Sequence, residues 1–151
     1  MDLHRNKSLS AVVQECDPDN RSLLWREWLD TFYLSNDNAR QAILDENPPL
    51  TNSAIDVIVA AGVCWLARKA KLKIPKWAAK RYLKFPWRNG LDPKSRLATI
   101  EQILAPPEFF ERNVFISASI MYRASMPIDW IEKEPKAFSR IVKEMLKEYN
   151  C

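Results

Sequence analysis

The stretch TNSAIDVIVAAGVCWLARKAKLK, residues 51–73, decides the fold. Over residues 54–66 only Asp56 is polar, so a helix here has no broad face suited to water and must pack on most sides against protein. Thr51 or Asn52 is placed to start it, and the pattern runs to Leu72 or Lys73. A central apolar helix near residues 52–72 is therefore the expected axis of the molecule. Its most apolar run, residues 57–67, falls well short of the roughly 20 residues a bilayer span requires, so no membrane role is expected.

Shorter amphipathic segments flank this axis. Residues 1–8 read as a flexible N-terminal tail, and Leu9, Val12 and Val13 mark a short helix resting on the domain. After a polar break at residues 17–20, residues 21–34 place Leu24, Trp28 and Phe32 four apart, with Trp25 and Leu29 widening the stripe. Ser35 or Asn36 caps a helix to about Glu46 with Ala39, Ala42 and Ile43 inward, and Pro48 and Pro49 stop it. Pro75 suits the first turn of a helix reaching Leu83, with Trp77, Tyr82 and Leu83 as its apolar set and its basic residues outside.

An aromatic loop at residues 85–93 reads as tied to the core. Ser95 caps a helix to Leu104 with Leu97, Ile100 and Leu104 inward, and a single turn at residues 108–112 is anchored by Phe109 and Phe110. Val114, Phe115 and Ile116 favour extended backbone but are too few for a sheet. Ser117 or Ser119 opens a short helix to Ala124, a turn covers residues 129–134, and a last amphipathic helix covers about 136–149. The expected fold is all-α, a compact irregular multi-helix bundle, with residues 9–151 as one helical domain.

Composition supports that class. The 151 residues are 47% hydrophobic with six Trp and six Phe, which suffices for a core, while two Gly against ten Pro suits helices punctuated by proline. Three cysteines at wide spacing, Cys16, Cys64 and Cys151, make neither a disulfide framework nor a zinc motif, and with no basic stretch followed by an apolar core in the first residues, secretion is not expected. A cytoplasmic location is expected.

The net charge of +4 conceals a segregation: residues 68–96 hold eleven Lys and Arg against one acid, Asp92, while residues 1–67 are net acidic. Arg68, Lys69, Lys73, Lys76, Lys80, Arg81, Lys84 and Arg88 are the candidate macromolecule-binding residues, interleaved with Trp77, Tyr82, Phe85 and Trp87. A solvated charged face, an acidic protein surface and nucleic-acid phosphates all fit this block. Catalytic and metal chemistry are poorly served. The one histidine, His4, lies in the tail; Gly62 and Gly90 cannot build a phosphate loop, and Gly62 suits close helix packing instead. The acid pairs Glu27/Asp30 and Glu108/Glu111 read as caps or surface groups. No catalytic residue, metal ligand or cofactor is assigned.

The run APPEFFERNVFIS, residues 105–117, resembles a segment of small, uncharacterised bacterial proteins encoded beside nucleotidyltransferase-like partners. The apolar helix at 54–68, then Ile74, Pro75, Lys76 and Trp77, then Tyr82, Leu83, Phe85, Pro86 and Trp87, extend the resemblance over residues 38–124. It implies an antitoxin-like or accessory protein that pairs with an enzyme, with Trp77, Pro86, Trp87, Pro107, Phe109, Arg112 and Phe115 at recurrent positions. Trp77, Trp87, Phe109, Arg112 and Phe115 are thus candidate structural or interaction anchors. The leading expectation is a non-enzymatic protein-interaction module, with a nucleic-acid-binding protein using the basic segment 68–96 as the alternative. An enzyme using carboxylates and arginines around Glu108 and Arg112 is a third reading.

Overall fold

The computed structural model describes residues 8–133 and, beyond these, Arg140, Lys143, Glu144 and Lys147. The apolar face expected over 136–149 lies outside the described residues, as do residues 1–7 of the expected tail. Among the described residues the fold is all-α, a compact bundle with no strand.

Helix α4, Ile55–Ala70, is the axis, and every residue over 59–67 is buried. It starts later than Thr51 or Asn52 because the capping runs the other way. Asp56, in its first turn, reaches back to accept the N–H groups of Thr51 and Asn52, at 3.0 and 2.9 Å, and the Thr51 hydroxyl at 2.7 Å. At the far end Lys71 adopts a left-handed φ of 57°, and the Leu72 N–H returns to the Ala67 carbonyl at 2.8 Å, which stops the helix.

Helix α1, Leu9–Gln14, packs on α2 and α4 through Leu9, Val12 and Val13. Ser8 is its cap, its hydroxyl accepting the Ala11 N–H at 3.1 Å. Helix α2, Pro18–Tyr33, begins inside the predicted polar break: Asp17 accepts the Asp19 N–H, and Pro18, with no N–H to lose, suits the first position. Trp28, Leu29 and Phe32 are its fully buried positions.

Helix α3, Asp37–Asp45, is capped by Asn36 but faces only partly as expected: Ile43 packs against the core and Leu44 is buried, while Ala39 and Ala42 are exposed. Arg40 sets this rotation. Its guanidinium donates to the carbonyls of Phe32 and Tyr33 and lies 5.2 Å from the Phe32 ring, so its apolar stem covers the surface assigned to the alanines.

Helix α5 is a single turn, Lys76–Ala79, and does not reach Leu83. The Leu83 N–H goes instead to the Arg112 carbonyl at 3.2 Å, which draws the chain away from a helical path and leaves Tyr82 exposed. Helix α6, Arg96–Leu104, capped by Ser95, buries Ala98 and leaves Leu97 in solvent. Its inward Glu101 accepts the Ser117 N–H at 2.6 Å, so a polar tether replaces part of the expected apolar face.

Helix α7, Pro107–Phe110, packs on α4 through Phe109; Phe110 is half exposed. Residues 114–116 are extended, as their composition favours, and Val114 forms an isolated parallel bridge with Trp87. The following 3-10 turn, Ala118–Met121, ends before Ala124, and a second covers Ile128–Trp130. Three tethers hold this segment on α2: Trp25 Nε1–H to the Ile120 carbonyl (3.0 Å), Tyr33 O–H to the Met121 carbonyl (2.5 Å), and Asp30 accepting from Arg123 and Ser125. Burial, reinforced by the Asp30 charge, pushes the Tyr33 phenol above its usual range.

Candidate functional site

The eight candidate cations do not form one free surface. Arg68, Lys69, Arg81 and Arg88 are engaged by the fold. Arg68 donates to Glu108 and, at 2.9 Å, to Glu132, and the Glu108 bond is the main reason its guanidinium is held above the usual range. Lys69 lies 3.4 Å from Glu132 and over the Trp65 ring. Arg81 stacks 4.8 Å from the Trp77 centroid and donates to Asn47 and the Pro48 carbonyl, with burial lowering its pKa against the opposing Asp56 charge. Arg88 lies over Phe115 and donates to Gln102 at 2.8 Å.

Lys73, Lys76, Lys80 and Lys84 remain exposed, together with Lys71. Three exposed apolar side chains share this segment: Ile74, 52% exposed, Tyr82, 54%, which the sequence places in an inward apolar set, and Phe85, 79%, in a loop whose aromatics read as tied to the core. Ile74 and Arg112 line one recess, and the Arg112 guanidinium sits 5.1 Å from the Tyr82 centroid, so Ile74 and Tyr82 flank the same group.

The loop that carries Phe85 is pinned on both sides. Before it, Leu83 gives its N–H to Arg112 and receives the Asn113 side-chain amide at 2.8 Å; after it, Trp87 gives its N–H to Asn113 (2.7 Å) and receives that of Phe115 (2.9 Å). Lys84, Phe85 and Pro86 form the crest between these pins. The candidate anchors are packed into the fold rather than presented on its surface. Trp77 donates to the Leu44 carbonyl, Phe109, Arg112 and Phe115 are buried, and Phe115 stacks on Phe110 at 5.1 Å.

Around Glu108 a recess of about 540 Å³ is lined by Cys64, Arg68, Glu111 and Arg112 among others. Arg112 donates to the Glu108 carbonyl and to Cys64 Sγ, and the Glu108 carboxylate is occupied by Arg68. Burial raises the Cys64 pKa despite the opposing Arg112 charge, which keeps the thiol protonated and disfavours it as a nucleophile. Asp30 likewise binds Arg123 and Ser125 rather than pairing with Glu27 around an ion. Among the described residues no group of His, Cys, Asp and Glu side chains is placed to hold a metal ion, and no helix is long and apolar enough to cross a membrane.

Glu132 is a residue that sequence reading passes over. Burial alone would raise its carboxyl, but the Trp65 indole N–H at 2.7 Å, Lys69 and Arg68 outweigh burial and hold it below the usual carboxylate range. A lowered folded-state pKa stabilises the fold above the unfolded value, and the gain disappears as pH falls through the folded one. Relative to Glu132→Gln, the wild type is expected to lose about 0.5–1 kcal/mol as pH drops from neutral to below about 4, read from urea midpoints. Parallel acid limbs for the two proteins would show that the network does not couple to folding.

Comparison of the chain with protein families, with curated proteins and with solved structures finds no match.

Proposed function

We propose that the protein is a non-enzymatic interaction module that docks an acidic protein surface in the cytoplasm through residues 73–85. The observation that carries this reading is Phe85, a phenylalanine 79% exposed on a crest whose flanks are hydrogen-bonded to residues 112–115. A large apolar side chain held outward by fixed backbone loses little freedom on binding, which favours an interface anchor. Ile74 and Tyr82 supply further apolar area, and the exposed lysines supply a charged rim that an acidic partner complements. Aliphatic Ile74 fits a protein surface better than a base-stacking platform. The resemblance over residues 38–124 favours a nucleotidyltransferase-like enzyme as the partner, with the module in an accessory or antitoxin-like role.

A nucleic-acid reading has its own support, since Tyr82 and Phe85 are exposed rings among lysines. Recovery of the tagged protein from its native host, with and without nuclease, separates the two. The expected result is a stoichiometric protein that survives nuclease and whose recovery falls at least about ten-fold with Phe85→Ala and with Lys80→Glu/Lys84→Glu. A protein retained equally by these variants overturns the assigned surface. Nuclease-sensitive DNA or RNA, released steeply by salt, transfers the same surface to phosphate binding.

A further inference from the structure

A cleft of about 460 Å³ opens between the first turns of α2, the first turns of α4 and the segments around residues 87–89 and 116–120. This size falls in the roughly 300–1,000 Å³ range of small-molecule sites. Its walls are mainly apolar, with Ile55, Ile58, Ile116 and Ile120 joined by two indoles, Trp25 and Trp87.

Both indoles are held. Trp25 donates to the Ile120 carbonyl, stacks on Trp28 at 5.2 Å and rests on Gly62, where a Cβ would lie 2.9 Å from its ring. Trp87 is paired through its backbone with residues 113–115, and its side chain is partly buried against the hydrophobic core. Fixed aromatic walls suit a flat aromatic body more than a flexible chain. The wall also contains one cation, Arg21, whose Nε and Nη2 donate to the carbonyls of Val12 and Glu15. Those carbonyls orient the guanidinium without neutralising it, and no carboxylate of the described residues forms an ion pair with it.

We infer that this cleft is a binding site for a small planar aromatic molecule carrying one carboxylate, its rings between Trp25 and Trp87 and its charge toward Arg21. This inference is independent of the interaction surface on residues 73–85.

The test uses 1-naphthylacetate and its neutral counterpart 2-(1-naphthyl)ethanol as probes, with binding followed by amide and indole NMR shifts on the full chain. The acid is expected to saturate one site, shift the Trp25 and Trp87 indole signals, and bind about ten-fold tighter than the alcohol. Ile58→Trp, which fills the cleft, is expected to abolish binding of both probes. Arg21→Gln is expected to reduce the acid to the affinity of the alcohol. Because Arg21 also ties α1 to α2, unchanged amide spectra outside the cleft are required of each variant, and the wild-type comparison of the two probes stands without any variant. Absence of saturable binding at millimolar probe, equal affinity for acid and alcohol, or binding that Ile58→Trp leaves intact would overturn the assignment.

Discussion

Phe109→Ala is expected to lower the folding free energy by about 3–5 kcal/mol, whereas Phe110→Ala, one residue on, costs less than about 1 kcal/mol. Phe109 is fully buried where α7 meets α4, and its removal leaves a cavity that neighbouring buried side chains cannot readily close. Phe110 is 48% exposed and loses mainly its stack on Phe115. The larger loss is a substantial share of the roughly 5–15 kcal/mol that holds a domain together. Urea unfolding reads it directly: the midpoint should fall for Phe109→Ala with the slope unchanged. Equal effects of the two substitutions would mean that α7 is held by its backbone turn rather than by the one buried ring.

The contrast also marks where sequence reading reaches its limit. A continuous apolar run such as residues 54–66 has one physical outcome, since a helix apolar on nearly all sides must be enclosed; the central axis is legible for that reason. Four-residue spacing at Leu24, Trp28 and Phe32 is legible on the same ground. A single helical turn has no periodicity to read, so Phe109 and Phe110 look alike until α4 is set beside them. Likewise Ala39 and Ala42 yield the inward face of α3 to Arg40, because a long stem with hydrogen-bonded ends covers more apolar surface than two methyl groups.

The candidate surface was legible as charge but not as shape. Eight basic residues share one segment of sequence, yet Arg68, Lys69, Arg81 and Arg88 turn to carboxylates, carbonyls, amides or rings, while Lys73, Lys76, Lys80 and Lys84 stay in solvent. The division is chemical: a planar guanidinium can stack and donate along several directions at once, whereas an ammonium is better left hydrated. Lys69, drawn onto Trp65 and Glu132, is the exception. The exposure of Phe85 follows from long-range pairing of Leu83 and Trp87 with residues 112–115, which local pattern cannot encode.

Asp56→Ala is expected to cost about 3 kcal/mol, the second large loss, and for a reason opposite to the usual expectation for a charge in an apolar helix. Asp56 is only 5% exposed, and burying a carboxylate without partners would be prohibitive. Its two oxygens instead collect the Thr51 and Asn52 N–H groups and the Thr51 hydroxyl, so the charge is met by donors from the chain just before the helix. That grip holds Asn52 at a left-handed φ of 58° and sets the direction in which α4 leaves the loop after Pro48 and Pro49. The Asp56 charge also supports the Arg81 guanidinium, which burial otherwise disfavours. Alanine would remove all of this and leave the Thr51 and Asn52 amides to water or to nothing, while Asp56→Asn, keeping one oxygen, should lose about half as much. Denaturant midpoints give the two magnitudes, and amide exchange should speed up first at residues 51 and 52. A loss below about 1 kcal/mol, with exchange at those amides unchanged, would show that the loop holds its shape without the carboxylate and that α4 is placed by its apolar packing alone.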